Sequence, residues 1–260
     1  MARRRVFQDH LGILSANRAR LLTEATEDAV RWLGTENIGR KCPETCWLSG
    51  FADPHQVNGD LISNHKKTWS IQGVAGNPYE LMAQSIRQAI AKRPTANLPA
   101  DEARNWVATQ VSELASELGK LAVACMKPRK DGKERTNTHT SWASKILHHA
   151  WPDVRTFVWD ANALLALSTR LRRRLTVCRG YCYRDFLDEC EVDLEDLRRC
   201  VEFQAGLNRL IRERGSVLRD HCKDIAKLGE NDQRVISQDF LERRLYDKYL
   251  WAEGDFMKRK

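Results

Sequence analysis

The stretch Ser141–Arg174, SWASKILHHAWPDVRTFVWDANALLALSTRLRRR, decides how this chain is read. Ser141 is suited to an N-cap, and Ala143, Ile146, Leu147 and Ala150 follow at the spacing of one helix face. Trp151-Pro152-Asp153 stops that helix, because proline has no N–H to donate and restricts the residue before it. Phe157-Val158-Trp159 then leads to Asp160, which opens a second apolar run through Ala161, Leu164, Leu165, Ser168, Leu171 and Leu175. A carboxylate at a helix N-terminus, flanked by aromatic residues and within sequence reach of Lys145, His148 and His149, is a constellation able to do chemistry. A helix cap is the other role open to Asp160, since Asp is favoured there.

Outward from this stretch the pattern stays helical. Leu11, Leu14, Leu21, Leu22, Ala25, Ala29 and Trp32 form a stripe that ends at Gly34. From Gly34 to Gly76 the periodicity fades among glycines, prolines, Trp47 and Trp69, which predicts an irregular segment with a short strand at Trp69–Val74. Asn77-Pro78 reads as a helix start carrying Met82, Ile86, Ala89 and Ile90. Pro99 opens the next helix, with Val107, Val111, Leu114, Leu118, Leu121 and Cys125 inward. Residues 127–137, KPRKDGKERTN, are a basic loop, either a solvated linker or a set of phosphate contacts. After Asp160 there is no proline, and helical stripes run over Tyr183–Cys190, Leu194–Arg214, Val217–Leu228 and Ser237–Tyr249, separated by glycines at 180, 215 and 229. The expectation is an all-α bundle, one domain over residues 1–260, with lobes 1–126 and 138–260 joined by the basic loop.

Composition narrows the function. The chain has 43 Lys and Arg against 35 Asp and Glu, a net charge of +8, concentrated in Ala2–Arg5, Lys127–Arg135 and Arg170–Arg179. Such an excess favours a polyanionic partner, nucleic acid first. With 42% hydrophobic and 30% charged residues the chain is expected to fold rather than stay disordered. No apolar run approaches the ~20 residues of a membrane helix, and MARRRVFQDH lacks the apolar core of a secretory signal, so a cytoplasmic monomer is expected. Of eight cysteines, Cys42 and Cys46 are four apart, as are Cys178 and Cys182. Reduced, buried thiols are expected, with no metal and no cofactor; a zinc clip at the two pairs is the rival reading.

The pattern from Ser144-Lys145 through Ile146-Leu147-His148 and Pro152-Asp153 to Val158-Trp159-Asp160 resembles the helix-hairpin-helix superfamily of DNA glycosylases. The resemblance covers about thirty residues. It implies a two-lobed helical fold, extrusion of a modified base from DNA, and hydrolysis of its N-glycosidic bond to leave an abasic site. By it Asp160 matches the catalytic aspartate, and Lys145 lies near the lysine that bifunctional members use as a nucleophile. Where those members carry Leu-Pro-Gly-Val-Gly, this chain has THTSWAS at residues 138–144. That departure, and a shorter interval from Lys145 to Asp160, point to a monofunctional enzyme. Some relatives mend damaged host bases and others are proposed to attack hypermodified phage DNA; by analogy an anti-phage role on modified cytosine is implied.

The chemistry of such a reaction asks for more than one acid. Breaking the bond builds positive charge on the sugar, which a carboxylate stabilises, and the extruded base needs aromatic walls and a cationic surface for phosphates. Trp142, Trp159, Trp47, Trp69, His148 and His149 are the candidate base contacts. Lys127, Arg129, Lys130, Lys133, Arg135, Arg172, Arg173 and Arg174 are the candidate phosphate contacts. A non-catalytic helical nucleic-acid-binding module, with Asp160 as a cap, is the rival from another class.

Overall fold

A computed structural model describes residues 2–34, 36–37, 42–94, 98–124, 138–171, 182–226 and 230–259, with side chains described from Leu14 onward apart from 220–226 and 230–236. The described residues form ten α-helices and one 3-10 turn, with no strand. The first half holds α1 (Ala2–Trp32), α2 (Glu44–Ala52), the turn Pro54–Gln56, α3 (Gly59–Thr68), α4 (Tyr79–Ala91) and α5 (Ala100–Ala124). The second holds α6 (Thr140–Ala150), α7 (Ala161–Arg170), α8 (Tyr183–Leu197), α9 (Val201–Ala226) and α10 (Glu230–Lys258). The expected all-α class is what the molecule has. Among the described residues no helix is long and apolar enough to cross a membrane.

The central helix is α10, which packs on α1, α7 and α9, while α6 lies between α2 and α5. A single buried cluster runs from Leu21 and Ala29 on α1 through Trp142 and Ile146 on α6 to Tyr246 and Leu250 on α10. The sequence of α10 mixes charge with apolar residues. Both kinds are buried: Phe240, Leu241 and Leu245, but also Arg243, Arg244, Asp247, Lys248 and Glu253. Charges so placed need partners, and those partners build the site described below.

Close approach sets the geometry where α10 crosses the start of α7. A Cβ on Gly254 would lie 2.2 Å from the Asn162 carbonyl oxygen, so only glycine lets the two backbones meet. Gly206 of α9 makes room instead for a side chain of α1, its missing Cβ lying 2.5 Å from the Thr26 hydroxyl.

Several local expectations are corrected. Residues 44–68 are not irregular but form α2 and α3 with the turn between them. Their inner faces carry Glu44, Thr45, His65 and Thr68 beside Trp47, Leu48, Phe51 and Ile62, so the apolar period is broken by buried polar groups. Trp69–Val74 is not a strand. Trp69 and Ser70 close α3: Ser70 N–H donates to the Lys67 carbonyl at 3.2 Å and Ile71 N–H to the Lys66 carbonyl at 3.0 Å. Ser70 sits in the left-handed region at φ 52°, the position that usually takes glycine in this motif. The α6 cap is His139 rather than Ser141, and α4 starts at Tyr79 with Pro78, not Asn77, at the cap position. Gly215 lies inside α9; the chain breaks instead at residues 198–200, between α8 and α9.

Candidate functional site

After a turn closed by the Val154 N–H on the Trp151 carbonyl at 3.0 Å, residues 155–160 carry the chain to α7 without turn or helix and, among the described residues, with no neighbouring strand. Its donors must therefore be met by side chains. The Trp159 N–H donates to Ser144 Oγ of α6 at 3.1 Å, and the Phe157 N–H to Tyr183 Oη of α8 at 3.2 Å. The Tyr183 hydroxyl donates back to the Phe157 carbonyl at 2.6 Å. Val158 N–H donates to Asp247 Oδ1 of α10 at 3.2 Å. Three helices thus hold the segment that delivers Asp160.

Asp160 does cap α7. Its Oδ1 accepts from the N–H groups of Asn162 and Ala163, both at 2.9 Å. Both cap bonds use one oxygen, and Oδ2 makes no hydrogen bond among the described residues. The two roles weighed for Asp160 are thus compatible in one side chain.

Asp160 lines a cavity of about 450 Å³. Lys145 and Val158 come to it from α6 and the extended segment, and Thr68, Trp69 and Ser70 from the end of α3. Asp28, Arg31 and Trp32 enter from α1, and Arg244, Asp247, Lys248 and Trp251 from α10. Trp32 and Trp69 stack with centroids 5.7 Å apart and planes 18° from parallel. Cations stand against both rings: Lys145 Nζ and Arg244 Cζ at 5.2 and 5.7 Å from the Trp69 centroid, and Lys248 Nζ at 4.8 Å from Trp32.

The charges are arranged in pairs. Arg244 forks onto Glu44, one bond at 2.6 Å, with both side chains buried. Lys248 Nζ donates to Asp28 at 2.6 Å. Burial pulls the Lys248 ammonium down to about 8, aided by Arg244 and opposed by Glu44 and Asp28. Lys145, 6% exposed, donates to Ser141 Oγ at 2.9 Å. Burial also lowers its pKa, and the charges of Asp160 and Asp247 oppose that fall. Burial pushes the Asp247 carboxyl up to about 7, against the pull of Arg244 and the Val158 N–H.

Behind the cavity is a histidine cluster. His149 lies 5.8 Å from His65 and 5.7 Å from His148, ring centre to ring centre, and 5.8 Å from Trp69. Burial drives all three below the usual imidazole range, His149 to about 4, so they are neutral near pH 7.

Of the candidate residues, the fold brings Asp160, Lys145 and Trp69 together in one cavity. The others take different places. Trp142 and Trp47 are fully buried; Trp142 Nε1 donates to His65 Nδ1 at 3.0 Å, and Trp47 meets the same ring edge-on at 4.9 Å. Trp159 packs on Phe186 at 5.1 Å, and His148 stacks on Phe240 at 4.9 Å. These residues, with His149, build the core behind the site rather than its wall. Lys127, Arg129, Lys130, Lys133, Arg135, Arg172, Arg173 and Arg174 lie outside the described residues, as does Cys178 of the second cysteine pair.

Seven wall residues from α1 and α10 escape the reading of the central stretch. A signal for them exists: Arg244, Asp247, Lys248 and Trp251 recur at three- and four-residue spacing, as do Asp28, Arg31 and Trp32. Such polar stripes ordinarily mark solvated faces, and only burial changes their meaning. What the arrangement offers is an acid with a free oxygen, a buried amine and stacked indoles, able to hold a flat ring and stabilise a nearby cation. Comparisons with protein-family models, with curated proteins and with solved structures find no match for this chain.

Proposed function

We propose that this protein is a monofunctional DNA glycosylase. It takes a modified base out of the duplex into the Asp160 cavity and hydrolyses its N-glycosidic bond, leaving an abasic site. The observation that carries the reading is the convergence of Asp160 and Lys145, fifteen residues apart in sequence, on one aromatic-walled cavity. Asp160, with Oδ2 available, stabilises the charge that develops on the sugar or takes a proton from the attacking water. Lys145, held by Ser141 and set against Trp69, acts through its charge. Trp32 and Trp69 receive the base. The net charge of +8 supplies attraction to the DNA backbone. The protein acts as a cytoplasmic monomer, and phage DNA with hypermodified cytosine is the substrate we would offer first.

The cap role of Asp160 favours a second reading, a nucleic-acid-binding module without chemistry. One experiment separates the two. Purified protein is incubated with DNAs carrying a panel of modified bases, hypermodified phage DNA among them, then treated with alkali to break abasic sites. Alkali-dependent breaks from the wild type, absent with Asp160→Asn, support the glycosylase. Breaks without alkali would assign Lys145 a covalent role. DNA that is bound but never broken would move the protein to the binding module.

A further inference from the structure

The Asp160 cavity opens onto a second one. A space of about 540 Å³ lies beside it between α1 and α10, and the two share Asp28, Arg31, Lys248 and Trp251. From that shared wall the second cavity runs along α10 to Arg259 and along α1 to Arg20.

Three indoles line the first cavity, and they are not equivalent. Trp32 and Trp69 are stacked on each other and faced by Lys145, Arg244 and Lys248. Trp251 is 47% exposed and has no ring or cation against it among the described residues. Leu81, Val192 and Val201 are exposed too, but they line neither cavity. A lone exposed apolar side chain is ordinary. An open indole face at the junction of two cavities is a surface on which a flat ring can stack.

Charge is uneven along the same line. At the shared wall Asp28 serves two cations, accepting from Arg31 Nη2 at 2.8 Å and from Lys248 Nζ at 2.6 Å. Glu44, 4.0 Å from Lys248, is already forked by Arg244. The junction thus holds two cations to one carboxylate, and the Arg31 side chain is 63% exposed. Farther out, Arg20 pairs with Glu24 at 2.7 Å and Arg259 with Asp255. Exposed Glu27 lines only the second cavity and forms no ion pair among the described residues. Attraction for a phosphate therefore stops at the junction.

We propose that this junction holds the nucleotide next to the extruded one. Its base stacks on Trp251, and the phosphate between the two nucleotides lies against Arg31. The proposal rests on the reading that the Asp160 cavity takes a base out of a DNA strand. A base that leaves the stack strips its neighbour of a partner on one face, and the Trp251 indole replaces it. Stacking on an aromatic face accepts any base, so the contact sets grip and register without reading sequence. The strand is held over one flanking nucleotide and not along the whole groove, since Glu27 and the paired arginines offer nothing to a second phosphate.

The test uses the full chain and two single-stranded probes of equal length, oligothymidine and a strand of abasic sugar phosphates. Binding is followed by the fluorescence anisotropy of an end label over a range of salt concentrations. The wild type is expected to prefer the thymine strand. Trp251→Ala should weaken binding of that strand about 5–150-fold, the range for one base on one aromatic ring, and leave the abasic strand unchanged. Trp251→Phe should retain most of the preference. Arg31→Ala should weaken both strands and lower the slope of log affinity against log salt by about 0.7, the value for one phosphate of a single strand. Equal losses on the two strands in Trp251→Ala overturn the proposal, as does an unchanged salt slope in Arg31→Ala. A wild type that prefers the thymine strand, with Trp251→Ala binding just as well, removes the flanking contact and leaves the base-binding cavity standing. A wild type that binds neither strand, or both alike, overturns the reading of the cavity and the proposal with it.

Discussion

Asp160 joins two functions that substitution can separate. Asparagine caps a helix about as well as aspartate, so Asp160→Asn keeps the bonds to Asn162 and Ala163 and removes only the charge. Asp160→Ala removes both. We expect Asp160→Asn to melt close to the wild type and Asp160→Ala to lose about 0.5–2 kcal/mol in denaturant unfolding, with cleavage lost in each. A melting point that falls as far for asparagine as for alanine would show that the charge, not the cap, stabilises the fold. Lys145 belongs to the same scale. Its burial could not be read from sequence, because lysine is ordinarily exposed and the Trp69 ring that covers it lies seventy-six positions away.

At the scale of elements, two backbone positions control how the cavity walls meet. Ser70 ends α3 in a left-handed conformation that costs a residue with a Cβ roughly 1–2 kcal/mol. Ser70→Gly is expected to stabilise the protein by up to about 1 kcal/mol, part of the gain being offset by the extra freedom of glycine in the unfolded chain. Urea unfolding checks this, and a loss of stability would mean that the Ser70 side chain contributes more than the backbone strain takes away. Gly254 is the converse case. Any Cβ there enters the Asn162 carbonyl, so Gly254→Ala must push α10 from the start of α7, where Asp160 sits. A loss of about 1–3 kcal/mol is expected, as for overpacking elsewhere, together with weakened cleavage. Wild-type stability in Gly254→Ala would show that the two helices part without cost.

For the whole molecule, the buried titratable groups set a window of pH. The three histidines have folded pKa values below the unfolded value near 6.5, so the unfolded chain binds more protons in that interval. Their stabilisation is present above about 6.5 and lost as pH falls through the folded values, for His149 between about 6.5 and about 4. That single group corresponds to about 3 kcal/mol. Asp247 acts in the opposite sense. Its folded pKa is raised from 3.8 to about 7, so its contribution is full below 3.8 and is lost as pH rises through about 7. The two effects oppose one another over the same interval, so Asp247→Asn should steepen the rise in stability between about 4 and about 7 and leave the profile above about 7 unchanged. Chemical denaturation across pH checks this; a slope unchanged in the variant would mean that Asp247 is already ionised in the folded protein over that interval.

The helical class, the break at Pro152 and the cap at Asp160 follow from the sequence by itself, because each depends on a local rule: apolar spacing, a missing donor, a short polar side chain before an apolar run. The nearness of Lys145 to Asp160 was also legible, since only residues 151–160 separate their helices. Local rules fail in α2 and α3, where Glu44 and His65 interrupt the apolar faces because their partners, Arg244 and Trp142, come from other helices. Tertiary structure alone decided the rest of the cavity. Asp28 and Arg31, and Arg244, Asp247 and Lys248, are polar positions on two helices at opposite ends of the chain, indistinguishable in sequence from solvated faces. Packing α1 on α10 removes water from them, and in that drier setting each charge needs a partner: Arg244 meets Glu44, Lys248 meets Asp28, and burial raises the Asp247 carboxyl to about 7 against the pull of Arg244.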